Sequence, residues 1–221
     1  VSDDKLGEIF RHDMNAQGVH FATKPLGGTP PTATSMIFVT PDGERSMNTY
    51  LGACVELGPE DVQEDVVAVS RVTYFEGYLW DPPRAKEAIR ECARIAHANS
   101  QEMSMTLSDS FCVGRFRDEF LHLLDKDVGI LFANEDEAKA LFEAEAFADV
   151  VKAAQDWGGI AALTRSAKGC VVVEESVVHA IDAAPVSRVL DTTGAGDQFA
   201  AFAKWYADNK TAGRSFGAIT P

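Results

Sequence analysis

The sequence has few of the features that mark disulfide-linked, metal-binding or membrane proteins. It has only four cysteines in 221 residues, and none forms a C-x-x-C pair, which argues against a zinc site or a disulfide framework and favours free thiols in a reducing compartment. No apolar run approaches the roughly 20 residues that span a bilayer, and no signal-peptide pattern opens the chain. We therefore expect a soluble, cytoplasmic protein with no membrane partner.

Positive charge is also scarce. The chain has 20 Lys and Arg against 34 Asp and Glu, for a formal net charge of −14. Proteins that bind nucleic acids need clustered basic side chains, and here they are scattered, so no nucleic-acid partner is predicted. An anionic small molecule would have to be held by backbone amides, a local arginine or a metal ion.

The length and the 46% hydrophobic content suit one large α/β domain. Ser2 is a candidate N-cap for a first helix, whose apolar residues recur at helical spacing from Leu6 to Met14 and which Gly18 would end. The run "TSMIFVTPDGERSMNT" over residues 34–49 has two extended segments around a Pro-Asp-Gly turn, which predicts a β-hairpin.

Short apolar runs then alternate with helical stretches. The strands are predicted at "VTYFEG", "MSMTL", "GILFA", "IAALT" and "GCVVV", and the helices over residues 82–98, 115–124 and 135–154. Buried strands that alternate with helices predict an α/β fold in which a mostly parallel sheet has helices on both faces.

Ligands of such a sheet collect at the carboxyl ends of its strands, so the polar residues that follow each apolar run are the candidates for a site. Asp109 follows "MSMTL", Asn134 follows "GILFA", Arg165 follows "IAALT", and a glycine-rich stretch follows "VSRVLD". We expect these segments to converge on one edge of the sheet. Glu76 and Asp109 are further candidates for the pocket wall.

Two of these segments allow a structural and a functional interpretation. In "NEDE", Asn134 can cap a helix that begins with acidic residues, or the oxygens of Asn134 and Glu137 can hold water molecules around Mg²⁺. In "TRSAKG", Thr164 and Arg165 can belong to a hairpin turn or can contact a nucleotide phosphate. Neither segment decides the question alone.

The stretch "DTTGAGDQFAA" over residues 191–201 places two glycines between two aspartates before a predicted helix. It can be a tight turn, a phosphate cradle, or a catalytic carboxylate at a helix N-terminus. If Gly194 and Gly196 adopt conformations barred to other residues, successive amides point into one concavity that stabilises phosphate charge. Asp197 would lie beside that concavity, where it can accept a proton from an attacking hydroxyl.

"DTTGAGD" resembles the second signature of the ribokinase-like (PfkB) family of carbohydrate and nucleoside kinases. "NEDE" matches the N-x-x-E motif of that family through Asn134 and Glu137, and "TRSAKG" resembles its T-x-G-x-x-G nucleotide-binding turn through Thr164 and Gly169. The motifs occur in the order of the family. The likeness covers most of the chain and implies a ribokinase-like fold.

The resemblance implies an ATP-dependent kinase. In it Asp197 is the general base, and the amides of Gly194, Ala195 and Gly196 form an anion hole. The resemblance assigns Asn134 and Glu137 to Mg²⁺ and phosphate. It assigns Thr164, Arg165 and Gly169 to ATP. It assigns Asp191 and Thr193 to a monovalent cation such as K⁺.

The resemblance also implies a division of the chain. Residues 1–18 and 53–221 would form an α/β kinase core, and residues 19–52 a β-hairpin lid through which a homodimer can form. Within the family, "TLSDSF" and "DGERSMNTYLGA" are closer to the adenosine kinase branch than to sugar kinases. The expected substrate is therefore a nucleoside such as adenosine, with a sugar of the ribose, fructose or 2-keto-3-deoxygluconate type as the alternative.

The chain departs from the family pattern in three places. Members normally have further strands before the position of Val1, including a glycine pair that grips the substrate sugar. The run after Asp197 lacks the usual A-G-F continuation, and Ser166 stands where the family usually has glycine. We therefore expect a chain that is incomplete at both ends. This leaves open a non-catalytic nucleotide-binding fragment as a further alternative.

Overall fold

The computed structural model describes residues 1–201, whose contacts group them into two compact units. The first unit contains Val1–Gln63, Pro82–Glu91 and Ser187–Thr193, and the second contains Glu64–Asp81, Cys92–Val186 and residues 194–201. Most of the run after Asp197, in which the sequence departs from the family pattern, lies outside the described residues. In the part of the chain that is described, no helix is long and apolar enough to cross a membrane.

The first unit contains the first helix and the hairpin. Helix α1 spans Lys5–Ala16, and strands β1 (Thr34–Val39) and β2 (Arg45–Tyr50) pair antiparallel, as the sequence predicted for this segment. Both strands are exposed along their whole length. A lid over residues 19–52 and a homodimer formed through it stay predictions.

The predicted N-cap of α1 was wrong. Asp4 caps the helix, because its carboxylate accepts a hydrogen bond from the Gly7 amide at 2.8 Å. Ser2 lies before the cap in extended backbone, where it forms an isolated parallel bridge with Leu26 and its amide donates to the Thr32 hydroxyl at 2.9 Å. The acidic side chain at the helix start also suits the positive end of the helix dipole.

The second unit is built on a six-stranded sheet. In sheet order, which is also chain order, its strands are β3 Val72–Glu76, β4 Glu102–Thr106, β5 Ile130–Asn134, β6 Ile160–Thr164, β7 Cys170–Glu174 and β8 Val177–Ile181. The first four strands pair in parallel, and β7 and β8 add antiparallel pairs. The predicted mostly parallel sheet is therefore confirmed.

The middle of this sheet is covered on both faces. The first four residues of both β5 and β6 are all buried, and successive residues of a strand point to opposite faces. Besides α1, the α-helices within residues 1–201 are α2 Glu64–Val69, α3 Pro83–Ala98, α4 Ser110–Lys126, α5 Glu135–Phe142, α6 Phe147–Trp157 and α7 Ala195–Ala200.

Two predicted helices differ from the structure, and one apolar run forms no strand. The single helix expected over residues 135–154 is two helices, because Glu143 ends α5 in the left-handed conformation with φ of 51°. Helix α4 begins before the expected position, since Asp109 caps it. The run "VSRVLD" forms no strand among the described residues, and its apolar side chains Val186, Val189 and Leu190 are exposed.

The central strands provide a test of the core. Leu163 in β6 has no exposed surface, so Leu163→Ala removes buried methyl groups and leaves a cavity. We expect the free energy of unfolding to fall by about 2–5 kcal/mol, measured by urea denaturation. The matched control is Val177→Ala in the edge strand β8, whose side chain is 52% exposed. Equal losses in the two variants would contradict this assignment of the core.

Candidate active site

The carboxyl ends of the parallel strands lie side by side in the second unit. Glu76 at the end of β3 pairs in register with Thr106 at the end of β4, and Asn134 at the end of β5 pairs with Thr164 at the end of β6. Parallel pairing brings these chain ends to one edge of the sheet, and the residues that follow each strand begin at that edge.

Asn134 and Glu137 form a reciprocal capping box at the start of α5. The Asn134 side chain accepts from the Glu137 amide at 2.9 Å, and Glu137 accepts from the Asn134 amide at 2.9 Å and from its Nδ2 at 2.7 Å. Glu137 is only 7% exposed, and burial raises its pKa despite the bond from the Asn134 amide, which acts in the opposite direction. The structural interpretation of the "NEDE" segment is therefore confirmed, and its contact with Mg²⁺ stays a prediction.

Asp109 lies beside this capping box. It caps α4 by accepting from the Cys112 amide at 2.6 Å, and its second oxygen accepts from the Tyr78 hydroxyl at 2.6 Å. Burial, and then this bond to Asp109, raise the pKa of Tyr78, and the Asp109 charge contributes to the raised pKa of Glu137. Both oxygens of Asp109 thus have partners within the fold.

Glu76, Asp197 and Tyr74 share one electrostatic environment. Burial raises the pKa of Glu76, and the charge of Asp197 raises it further. Burial raises the pKa of Tyr74 to about 12, with further contributions from Glu76, Asp197 and Glu137 and an opposing hydrogen bond with Thr106. Nothing in the sequence singled out Tyr74 beyond its place in an aromatic run. The charges of three carboxylates, Glu76, Asp197 and Glu137, contribute to its raised pKa.

Asp197 is held at this edge by the packing of α7. Gly194 caps the helix in the left-handed conformation with φ of 75°, and Asp197 lies in the first turn. Two residues later, the Phe199 ring meets the Phe132 ring of β5 edge-on, with 6.2 Å between centroids. The helix is therefore anchored on one face of the sheet by an aromatic contact.

The two glycines of the stretch differ. Gly194 has a positive φ, as expected, but Gly196 does not, so the prediction that both adopt conformations barred to other residues was wrong for Gly196. Gly196 lies within α7, and a Cβ placed on it would meet no atom of residues 1–201 within 4 Å beyond the adjacent backbone of its own helix. Ala195 lies between them as the first residue of α7.

The segment after β6 is a turn, as one interpretation of "TRSAKG" held. The Arg165 amide donates to the Gly169 carbonyl at 2.8 Å, around a short 3-10 helix at Ser166–Lys168. Gly169 has φ of 84°, and a Cβ there would lie 2.0 Å from the Ile181 carbonyl oxygen. The fold itself therefore requires Gly169. Its proposed contact with ATP, like that of Thr164, stays a prediction.

The Arg165 side chain turns to the start of α5. Its Nε lies 2.9 Å from a Glu135 carboxylate oxygen, and its guanidinium carbon lies 3.9 Å from the centroid of the Phe147 ring. The Glu135 carboxylate also contacts Lys139 at 2.9 Å, and Lys139 and then Arg165 lower the pKa of Glu135 to about 2. The sequence did not single out Glu135 for this contact.

Asp191 and Thr193 belong to the first unit. Asp191 accepts from the Thr193 amide at 2.8 Å, and the bonds from Thr193 lower its pKa. Arg45, at the start of β2, donates to the neighbouring Thr192 hydroxyl at 2.7 Å. Sequence reasoning missed Arg45, although an arginine directly after a hairpin turn was visible in "DGERS".

Oxygen ligands for a metal do not converge in the described part of the chain, where no group of three or more His, Cys, Asp or Glu is placed to hold an ion. The edge of the sheet nevertheless collects negative charge from Glu76, Asp109, Glu137 and Asp197. A ligand that is itself anionic therefore needs amide donors or a cation to bind here.

The fold and the polar edge define an α/β protein of the ribokinase-like type, with a mostly parallel sheet and a small antiparallel sheet. A model of the pfkB family of carbohydrate kinases matches residues 1–216. The chain belongs to this family.

Similar proteins include both nucleoside and sugar kinases. An adenosine kinase from Sinorhizobium meliloti has a structure with a TM-score of 0.90 and 61% identity, over 97% of this chain and 65% of that chain. A probable sugar kinase from Rhizobium etli has a TM-score of 0.90 and 58% identity, over 97% of this chain and 64% of that chain. An ATP-dependent ribose-1-phosphate kinase of Halopiger xanaduensis is 29% identical over 94% of this chain and 66% of its own length. The chain thus spans about two thirds of the length of these relatives.

The raised pKa of Glu76 gives a pH-dependent test of the site. A carboxyl whose pKa is higher in the folded state than its ordinary 4.5 destabilises the fold increasingly as the pH rises through this range. Glutamine is neutral throughout, so Glu76→Gln should be more stable than the wild type at pH 8, and this gain should vanish towards pH 4.

The measurement is urea unfolding at a series of pH values. Glu145→Gln, which neutralises an exposed carboxylate between α5 and α6, controls for the change in net charge. A stability gain for Glu76→Gln that is the same at pH 4 and pH 8 would show that ionised Glu76 is not disfavoured by its surroundings.

Proposed function

We propose that this protein is an ATP-dependent phosphotransferase that transfers the γ-phosphate of ATP to a primary hydroxyl of a nucleoside such as adenosine. The observation that carries the proposal is the place of Asp197 in the first turn of α7, beside Glu76 at the carboxyl end of β3. Membership of the pfkB family, matched over residues 1–216, supports the same chemistry.

Asp197 is the proposed general base. Its carboxylate can accept the proton of the attacking hydroxyl as the hydroxyl oxygen bonds to the γ-phosphorus. The bond between the γ-phosphorus and the β-phosphate oxygen breaks, and ADP leaves. Asp197 is exposed, whereas Glu137 is buried and both Asp109 oxygens hold hydrogen bonds. Asp197 is therefore the carboxylate at this edge that is best able to meet a substrate hydroxyl.

The amides of Gly194, Ala195 and Gly196 are the proposed anion hole. The backbone conformation accounts for Gly194, because a positive φ favours glycine. Gly196 has no such role in the fold, since its backbone is not left-handed and a side chain would meet open space. The absence of a side chain at Gly196 is explained if a phosphate occupies that space during transfer.

Magnesium fits this site through its water molecules rather than through direct contact with protein. Glu137 and Asn134 bond to each other in the capping box but keep further lone pairs on their oxygens. Mg²⁺ usually retains several water molecules, and these oxygens can accept hydrogen bonds from them. When bound, the ion would offset phosphate charge at an edge that is otherwise acidic. The proposed site of a monovalent cation at Asp191 and Thr193 rests on the family resemblance alone.

Adenosine is favoured as substrate by the 61% identity to the Sinorhizobium meliloti adenosine kinase and by the segments "TLSDSF" and "DGERSMNTYLGA". A sugar is the second candidate, because the Rhizobium etli probable sugar kinase is 58% identical and the Halopiger relative is a ribose-1-phosphate kinase. Glu76 and Asp109 are the proposed wall of the substrate pocket.

Replacing the proposed base tests the reaction. In the full-length protein, Asp197→Asn should lower kcat by about 100- to 10,000-fold, because general base catalysis contributes this much. The affinity for ATP, measured by calorimetry, should change little. Phosphate transfer should be measured with adenosine, ribose, fructose and ribose 1-phosphate.

The matched control is Asp156→Asn, which removes an exposed carboxylate from the C-terminal end of α6, before the amino end of β6, whereas the site residues follow the carboxyl ends of the strands. Full turnover in Asp197→Asn would refute its role as base. Wild-type protein that binds ATP but transfers phosphate to none of the four acceptors would favour the non-catalytic nucleotide-binding alternative.

Two helical glycines with open space where a Cβ would lie, Gly114 and Gly196, test the proposed anion hole. Gly114 in α4, like Gly196, would place a Cβ more than 4 Å from any neighbouring atom. Alanine at either position should raise the free energy of unfolding by up to about 1 kcal/mol through helix propensity. Only Gly196→Ala should also lower kcat/KM, because its Cβ would occupy the space proposed for the phosphate and push the phosphate away from the amides; loss of one anion-hole donor costs about 100-fold. Unchanged kinetics in Gly196→Ala would show that no phosphate occupies the space beside Gly196.

A further inference from the structure

Arg165 connects three elements of the second unit. It follows the last residue of β6, its Nε donates to the carboxylate of Glu135 at the start of α5, and its guanidinium stacks on Phe147 at the start of α6. The side chains of Arg165 and Glu135 are only 24% and 20% exposed. A partly buried, charge-assisted contact of this kind holds its partners in a defined geometry better than an exposed ion pair does.

The elements that Arg165 connects also hold the proposed nucleotide-binding residues. Glu135 directly follows Asn134 and precedes Glu137 by two residues, and Arg165 directly follows Thr164. The β-register joins Asn134 to Thr164 only through the backbone at the end of the strands. The contact between Arg165 and Glu135 adds a second constraint beyond the strand ends.

We propose that Arg165 is a positioning residue for ATP, which fixes the first turn of α5, and so Asn134 and Glu137, relative to the Thr164 turn. This inference rests on the proposed function and assigns Arg165 a role other than direct binding of a phosphate. Its Nε is already bonded to Glu135, and one face of its guanidinium is covered by Phe147. A displacement of about 1 Å in a binding group is enough to lower catalysis strongly, so a contact that prevents such a displacement matters.

The two partners should behave as one unit. Arg165→Gln and Glu135→Gln each break the ion pair, and each should raise KM for ATP by about tenfold, the lower end of the effect of residues that orient binding groups. The value of kcat and the KM of the phosphate acceptor should change by less than about twofold. The KM for ATP of the double variant should be no higher than that of either single variant, because both remove the contact that joins α5 to the Thr164 turn. The pair of Glu135 with Lys139, which Glu135→Gln also weakens, lies within α5 and does not reach that turn.

Two further variants separate positioning from general stabilisation. Arg165→Lys should not rescue ATP binding, since a lysine cannot donate from a planar group and stack on Phe147 at once. Arg117→Gln is the matched control. Arg117 is 28% exposed and anchors the other end of α5, donating to the Leu141 carbonyl at 2.8 Å and contacting Glu143 at 3.1 Å. It should lower the free energy of unfolding without changing KM for ATP.

The experiment combines steady-state kinetics, ATP calorimetry and urea unfolding on the full-length protein. A large loss of ATP affinity in Arg165→Gln with none in Glu135→Gln, or additive losses in the double variant, would identify Arg165 as a direct ligand and overturn the inference. An equal rise in KM for ATP in Arg117→Gln would also overturn it. Wild-type protein that binds no ATP would overturn the proposed function, and this inference with it.

Discussion

The parallel pairing of β3 to β6 is the constraint on which the candidate site depends. It places the carboxyl ends of four strands at one edge, where Glu76 lies opposite Thr106 and Asn134 lies opposite Thr164. These residues are 88 positions apart at the extremes, so no local motif could bring them together. The buried runs of β5 and β6 each end at a polar residue, Asn134 and Thr164, and a shift that drew either residue into the core would bury a polar group, so the core also fixes which residues reach this edge.

The edge concentrates negative charge, which the fold accommodates in different ways. Glu137 accepts hydrogen bonds from the backbone and side chain of Asn134, and Asp109 accepts from the Tyr78 hydroxyl and from a backbone amide. Glu135 forms ion pairs with Lys139 and Arg165. Each of these carboxylates is satisfied within the second unit. The pKa of Glu76 is instead raised, first by burial and then by the charge of Asp197. Carboxyl groups whose pKa is shifted by burial and a nearby charge are frequent at functional sites.

The sequence predicted the elements that have a clear period or a clear turn. The hairpin, the strands β3 to β7 and the helix α3 follow from apolar runs and from prolines and glycines at their ends. The break at Glu143 was missed because a left-handed non-glycine residue leaves no mark in the sequence. The apolar run "VSRVLD" forms no strand within residues 1–201, since an apolar run becomes a strand only if a neighbouring strand pairs with it. The contact of Arg165 with Glu135 depends on helix placement, which no pattern of residues reveals.

Glycines at the site show how a fold requirement can be separated from a ligand requirement. Gly169 is fixed by the fold, because a Cβ would collide with the Ile181 carbonyl, and Gly194 by its positive φ. Neither therefore provides evidence for a bound phosphate. Gly196 lies in a helix, where alanine would be more stable and would fit. Gly114 in α4 is equally open, so open space alone does not identify a ligand. What distinguishes Gly196 is its place in the first turn of α7 next to Asp197, where the proposed phosphate would lie.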